Sequence, residues 1–325
     1  MGRHPVSLLI LFESETFKME EIKVFCPATI ANLSCGFDVL GVALDAVGDE
    51  MIVRKTDKKG IRITKILGQE LPLETDKNVA GVAALALLEK SGATSGFEIE
   101  IHKKIKPGSG IGSSAASSAG AVWGINTLLG NPFSPPELVE FAMQGEKLAS
   151  GVAHADNVAP ALLGGFVLVR GYEPLDIVPL PSPEEIHATV IHPQIEIKTS
   201  DSRKILKTKL SLQVGIRQWG NLAGLVAGLF KNDYELIGRS LEDHVVEPIR
   251  SILIPGFDAI KSQSLQTGAL GCGISGSGPS IFALSRGEAT ATQVAKAMKK
   301  VYETLDVAFD VHVSPVNTQG VKTLR

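Results

Sequence analysis

Cysteine is scarce, with Cys26, Cys35 and Cys272 the whole complement of a 325-residue chain, and the three are far apart. That excludes a disulfide framework and a zinc site built on thiolates, and it fits a reducing cytosolic compartment. Aromatic residues make up 5 % and the net charge is −3. A base-stacking platform and a basic footprint for nucleic acid or an anionic membrane are therefore both missing, which leaves small molecules as the expected partners. No apolar run reaches the length of a membrane span. The stretch Val6–Phe12 is only seven residues long, lacks a small-x-small cleavage site and runs into Glu13 and Glu15, so it is not a signal peptide. Residues 1–18 are expected to be an N-terminal extension, with Met19 as an alternative start.

What is present describes a globular protein of two domains: 44 % hydrophobic and 21 % charged residues, with a full core. Strands are predicted at 22–25, 50–54, 61–66, 97–101, 165–170, 188–192, 280–284 and 308–313. Helices are predicted at 77–91, 115–129, 135–149, 213–230, 233–242, 256–266 and 287–304. Ser134-Pro-Pro-Glu137 is a capping box with proline in the first turn. Several strands alternate apolar and polar residues in the antiparallel manner, so the class is α+β. The segment 172–183, with four prolines, is the expected boundary, giving one domain over 19–180 and a second over 181–325.

The richest stretch runs from Pro107 to Ala119. Gly108, Gly110 and Gly112 alternate with Ser109 and Ile111, then lead into Ser113, Ser114, Ala115, Ala116 and Ser117. Glycine permits positive φ and close approach, and a helix starting near Ser114 would aim free N–H groups and its positive dipole end into the loop. That suits a polyphosphate. No lysine lies between Pro107 and Trp123, so this is not a Walker A loop. A dinucleotide fingerprint fits Gly110–Ala115, but the strand upstream alternates and no acidic ribose ligand follows about 20 residues on. A plain glycine turn before a tightly packed small-residue helix is the remaining alternative.

Three more segments are unusually specified. In 27–41, Asn32 and Asp38 could face a ligand or serve turn hydrogen bonds. In 144–160, Glu146 is a candidate Mg²⁺ ligand beside Ser114 or an ordinary helix residue, while His154, Asp156 and Asn157 sit in a small-residue loop. The segment 267–279 carries five glycines in the eleven residues 268–278, expected where backbone packs against a ligand or against the first loop.

In order and spacing these segments resemble the GHMP kinases, with 107–116 and 271–279 matching two of that family's motifs, and within it the homoserine kinases most of all. The resemblance implies an α+β, two-domain GHMP kinase fold with a ribosomal protein S5 domain 2-like N-terminal domain and a ferredoxin-like C-terminal domain. It implies ATP and Mg²⁺, a homodimer, and phosphorylation of the L-homoserine hydroxyl to O-phospho-L-homoserine on the way to threonine. Ser114 and Glu146 would hold the metal, and the loop amides would cradle the phosphates. Asp38 would take the substrate ammonium, Arg203 and Arg250 its carboxylate, and Asn32 its hydroxyl, with Thr199 and His154 completing the pocket. Two departures stand out. Ser34-Cys35 replaces a Gly-Pro pair common in homoserine kinases, and Asn157 stands where mevalonate kinase carries an aspartate base. Direct attack by the hydroxyl is therefore expected, with the neighbouring Asp156 as the alternative base.

Overall fold

The computed structural model describes residues 20–195, 197 and 199–324, with backbone alone at 199–201. The expected extension 1–18 and the side chain of Thr199 lie outside the described residues. The elements follow the chain as β1 (Glu21–Ala31), β2 (Leu40–Thr56), β3 (Gly60–Leu67), α1 (Val79–Ser91), β4 (Gly96–His102), α2 (Ser113–Leu128), α3 (Pro135–Ser150), α4 (Val158–Leu163), β5 (Phe166–Tyr172) and β6 (Leu175–Leu180). The second half continues with β7 (Ile186–Pro193), α5 (Thr199–Lys204), α6 (Leu212–Lys231), α7 (Tyr234–Ser240), α8 (Glu247–Arg250), α9 (Phe257–Gln266), β8 (Gly271–Ile274), β9 (Ile281–Arg286), α10 (Glu288–Thr304), β10 (Phe309–Pro315) and β11 (Lys322–Leu324).

Two sheets result. The first runs β11-β1-β2-β4-β3, with β5 also paired to the long β2 and β6 to β5; only β3 and β4 run parallel. The second is antiparallel throughout in the order β10-β7-β9-β8. Renumbered within that unit the order is 4-1-3-2, the ferredoxin-like arrangement. The period-two pattern of β4 buries Phe97, Ile99 and Ile101 in the core that α2 covers, and α2 is built almost entirely of buried Ser, Ala, Gly and small apolar residues. Small side chains let it lie close on β1 and β2, at the density of a protein interior. The glycine segment is a loop, and the helix behind it is a tightly packed one.

The predicted helix 135–149 forms with its capping box, Glu137 accepting the Ser134 amide at 2.8 Å. The proline-rich segment 172–183 also contains strand β6, whose Pro179 is tolerated because β6 pairs on one side only, as an edge strand allows. The sheets are tied together by 314–317: Ser314 Oγ accepts from the amides of Asp45 and Ala46 at 2.8 and 2.9 Å, and the Asn317 amide donates to the Ala43 carbonyl.

Candidate active site

A cavity of about 450 Å³ opens where the two sheets meet. The glycine loop forms one wall: Gly108, Gly110 and Gly112 line it, all at positive φ. At Gly110 (φ +82°) a Cβ would come within 2.6 and 2.7 Å of the carbonyl oxygens of Gly278 and Ser275. At Gly112 (φ +70°) it would collide with Thr29 Oγ1. Glycine is required at both, by conformation and by space. The second glycine-rich segment therefore does pack on the first. Ser275 Oγ donates to the Gly110 carbonyl at 2.8 Å and the Ser280 amide to the Ser109 carbonyl at 3.2 Å. Part of that segment is strand β8, not loop.

α2 starts at Ser113 with its first turn facing the cavity. The two serines at its start differ in use. Ser113 Oγ donates to the Ile105 carbonyl at 3.1 Å and anchors the loop. Ser114 lines the cavity with the carboxylate of Glu146, which α3 brings in from behind. Glu146 is 7 % exposed, its Oε1 has no hydrogen-bond partner among the described residues, and burial pushes its carboxyl up to about 7. A buried carboxylate oxygen facing a cavity without a donor is under-satisfied. Oxygen donors of this kind fit a hard divalent cation such as Mg²⁺. Pro107 and Ser117 also line the cavity; Ser109, Ile111, Ala115 and Ala116 do not, and support it from behind.

The opposite wall carries charge. Asn32, Phe37 and Asp38 come from the β1–β2 turn, where Asn32, Leu33 and Ser34 are all left-handed (φ +71°, +43° and +61°). Asn and Asp adopt that region readily; serine does so less easily. Asn32 is partly committed, its Oδ1 accepting the Asp38 amide at 3.1 Å and its Nδ2 donating to the Gly276 carbonyl at 2.8 Å. Arg203, at the end of α5, grips both oxygens of Asp38 at 2.6 and 3.1 Å, a bidentate fork. Arg250, only 2 % exposed, donates to the carbonyls of Ser202 (3.0 Å) and Gly276 (3.2 Å). Burial first, then the nearby Arg203, lowers its guanidinium to about 10.

Between the walls lie His154, Asp156 and Asn157. His154 Nδ1 is 3.9 Å from Asp38 Oδ1, and burial lowers its pKa. Its ring packs edge-on to Tyr172, whose hydroxyl donates to the Asp38 carbonyl at 3.0 Å. Burial, then Asp38 and Glu146, push the Asp156 carboxyl up to about 7. Asn157 Oδ1 accepts from Thr29 Oγ1 at 2.7 Å, which turns its Nδ2 donor away from Thr29.

The sequence reading missed Lys103, Tyr172, Thr29 and the use of Phe37. Lys103 Nζ is buried, paired with Asp49, and donates to the Ser113 carbonyl (2.9 Å) and Ser117 Oγ (3.1 Å). Asp49 also accepts the amides of Lys104 and Ile105 at 2.7 and 2.9 Å, so one ion pair fixes β2, β4 and the start of α2. Position 103 continues the inward series Phe97, Ile99 and Ile101, and 49 the series Met51 and Val53. A charge on each of two inward faces was the available signal.

Comparison with known proteins agrees with this geometry. Residues 78–165 match the model of the GHMP kinases N terminal domain and residues 225–304 that of the GHMP kinases C terminal domain. The homoserine kinase of Chloroherpeton thalassium is 46 % identical over 319 residues, covering 94 % of this chain and 100 % of that one. The homoserine kinase of Chlorobium phaeobacteroides is 44 % identical over 320 residues, with the same coverage. The crystal structure of homoserine kinase from Cytophaga hutchinsonii superposes with a TM-score of 0.91 at 55 % identity, over 94 % of this chain and 98 % of that one.

Proposed function

We propose, from the premise that this chain belongs to the GHMP kinase family, a role for each wall of the cavity. The chain is a homoserine kinase, transferring the γ-phosphoryl of ATP to the hydroxyl of homoserine. The observation that carries the assignment of residues is the charge-matched acceptor wall, Asp38 with Arg203 and Arg250, facing Ser114 and Glu146 across one cavity. An amino acid needs both charges answered; an isoprenoid alcohol has no ammonium for Asp38.

On the donor side, the amides at 110–114 and the start of α2 hold the phosphates, and the dipole of a 16-residue helix favours the negative charge they bring. Ser114 and Glu146 would hold Mg²⁺, which would supply charge neutralisation to the phosphates. On the acceptor side, the Asp38–Arg203 pair opens to the substrate zwitterion, Asp38 taking the ammonium and Arg203 with Arg250 the carboxylate. Asn32 and His154 complete the pocket and aim the hydroxyl at the donor. Asn157, an amide held by Thr29, donates a hydrogen bond and takes no proton. Positioning and charge stabilisation therefore account for the transfer, with the hydroxyl attacking directly. A second reading is favoured by one observation: Asp156, raised to about 7, is poised to accept a proton near neutrality.

Residues 19–180 are proposed as the nucleotide-binding domain and 181–325 as its partner, in a cytoplasmic enzyme serving threonine synthesis. Support for a homodimer comes from α6, where Leu212, Ile216, Trp219 and Phe230 form one stripe at 68, 56, 60 and 62 % exposure, larger than scattered surface apolar residues explain. Light scattering on Trp219→Glu should then give a monomer where the parent gives a dimer. The activity test is ADP release with Mg-ATP over L-homoserine, mevalonate, serine and threonine. Turnover confined to homoserine is expected; turnover of another alcohol in its place would refute the assignment.

A further inference from the structure

Phe37 stands in the β1–β2 turn with its ring half-buried on the cavity wall. The guanidinium carbons of Arg203 and Arg250 lie 5.3 and 5.2 Å from the centroid of that one ring, both within cation–π reach. The two cations have different partners otherwise. Arg203 is held by the Asp38 carboxylate, whereas among the described residues Arg250 hydrogen-bonds to the carbonyl oxygens of Ser202 and Gly276. Two guanidinium charges brought together over one ring repel. A second carboxylate would relieve that repulsion, but it would also occupy the donors that a substrate carboxylate needs. An aromatic face offers negative potential without accepting a hydrogen bond.

We propose that Phe37 is a positioning residue that sets the acceptor specificity of the site: its ring holds Arg203 and Arg250 together as a carboxylate receptor, selecting alcohols that carry a carboxylate. This rests on the reading of Arg203 and Arg250 as the carboxylate grip of a homoserine kinase. It also explains why an aromatic residue directly precedes the ammonium-binding Asp38: one turn builds both halves of the zwitterion receptor, the acid by its own side chain and the bases by organising two distant arginines.

The test compares the parent enzyme with Phe37→Leu and with pentafluorophenylalanine incorporated at position 37, which keeps the ring's shape and reverses its facial potential. Each is measured for KM of L-homoserine, KM of ATP and kcat. Inhibition constants are taken for L-2-aminobutyrate, which keeps ammonium and carboxylate, and for 3-aminopropan-1-ol, which lacks the carboxylate. Both variants should raise the homoserine KM and the aminobutyrate constant by roughly 10-fold, while ATP KM, kcat and the aminopropanol constant stay within about twofold of the parent. Equal weakening of both inhibitors, a loss confined to kcat, or a parent-like pentafluoro variant would overturn the proposal. Failure of the parent to turn over homoserine would instead overturn the reading on which it rests.

Discussion

Glu146→Gln is the most informative single change, because the structure predicts opposite effects on stability and on activity. Raising a carboxyl from the ordinary 4.5 to about 7 by burial corresponds to about 3 kcal/mol of unfavourable ionisation in the ligand-free fold, at 1.36 kcal/mol per pH unit. The folded-state pKa is raised, so the associated stability is fully present below about pH 4.5 and is lost as the pH climbs through about 7. Glutamine cannot ionise. The variant should therefore lie closest to the parent near pH 5 and exceed it increasingly as the pH rises to 7.5, by an amount approaching 3 kcal/mol, or several degrees of Tm. Differential scanning fluorimetry across pH 5–8.5, without nucleotide, reads this directly. Adding Mg-ATP should then raise the parent's Tm and leave the variant's nearly still, since ligand that binds only the native state stabilises it by mass action. A variant less stable than the parent at every pH would refute the claim that Glu146 is held under desolvation strain for a cation. Equal stabilisation of both proteins by Mg-ATP would refute its place at the metal.

Asp156→Asn tests the base question: direct attack predicts turnover within about tenfold of the parent, and a drop of 100-fold or more in kcat with the fold intact would make Asp156 the base. Asn157→Asp should lower kcat by introducing a negative charge beside the phosphates, read in the same ADP-release assay. Gly110→Ala combines positive φ with backbone atoms at 2.6 and 2.7 Å, so it should cost about 2 kcal/mol or more of stability and most nucleotide affinity, checked by denaturant titration and nucleotide binding. Lys103→Met leaves Asp49 buried without its partner and should cost about 3–5 kcal/mol in chemical denaturation; Lys103→Met with Asp49→Leu should recover much of that loss.

Legibility in the sequence tracked how local the determinant was. The Ser134–Glu137 cap, the start of α2 and the alternation of β4 are written within a few residues, and each formed within two residues of its expected bounds. β2 was legible only over 50–54 of its 40–56, because its first half pairs with both β1 and β5 and is buried too evenly to alternate. β6 hid among prolines that an edge position tolerates. The site followed the same rule. Cavity-lining residues were found where a motif of small residues marked them. Lys103, Asp49 and Thr29 were missed because their meaning lies in partners up to 128 positions away. The Asp38–Arg203 pair shows the limit most clearly: chemistry gave each group a counterpart on the substrate, and only the fold revealed that each also serves as the other's counterpart.

The carbonyl of Gly276 ties the two pockets into one energetic unit. It receives Asn32 and Arg250 from the acceptor side, while its neighbours Ser275 and Gly278 press on Gly110 of the phosphate loop. On the proposed assignment, amino acid and nucleotide would lean on opposite ends of the same turn, and whatever order one ligand imposed on it would be order the other need not supply. Binding synergy follows, and thermodynamic reciprocity makes it symmetric: the factor by which a non-hydrolysable ATP analogue tightens homoserine must equal the factor by which homoserine tightens the analogue. Shortening or loosening this turn would leave each ligand able to bind alone while dissolving the cooperation between them.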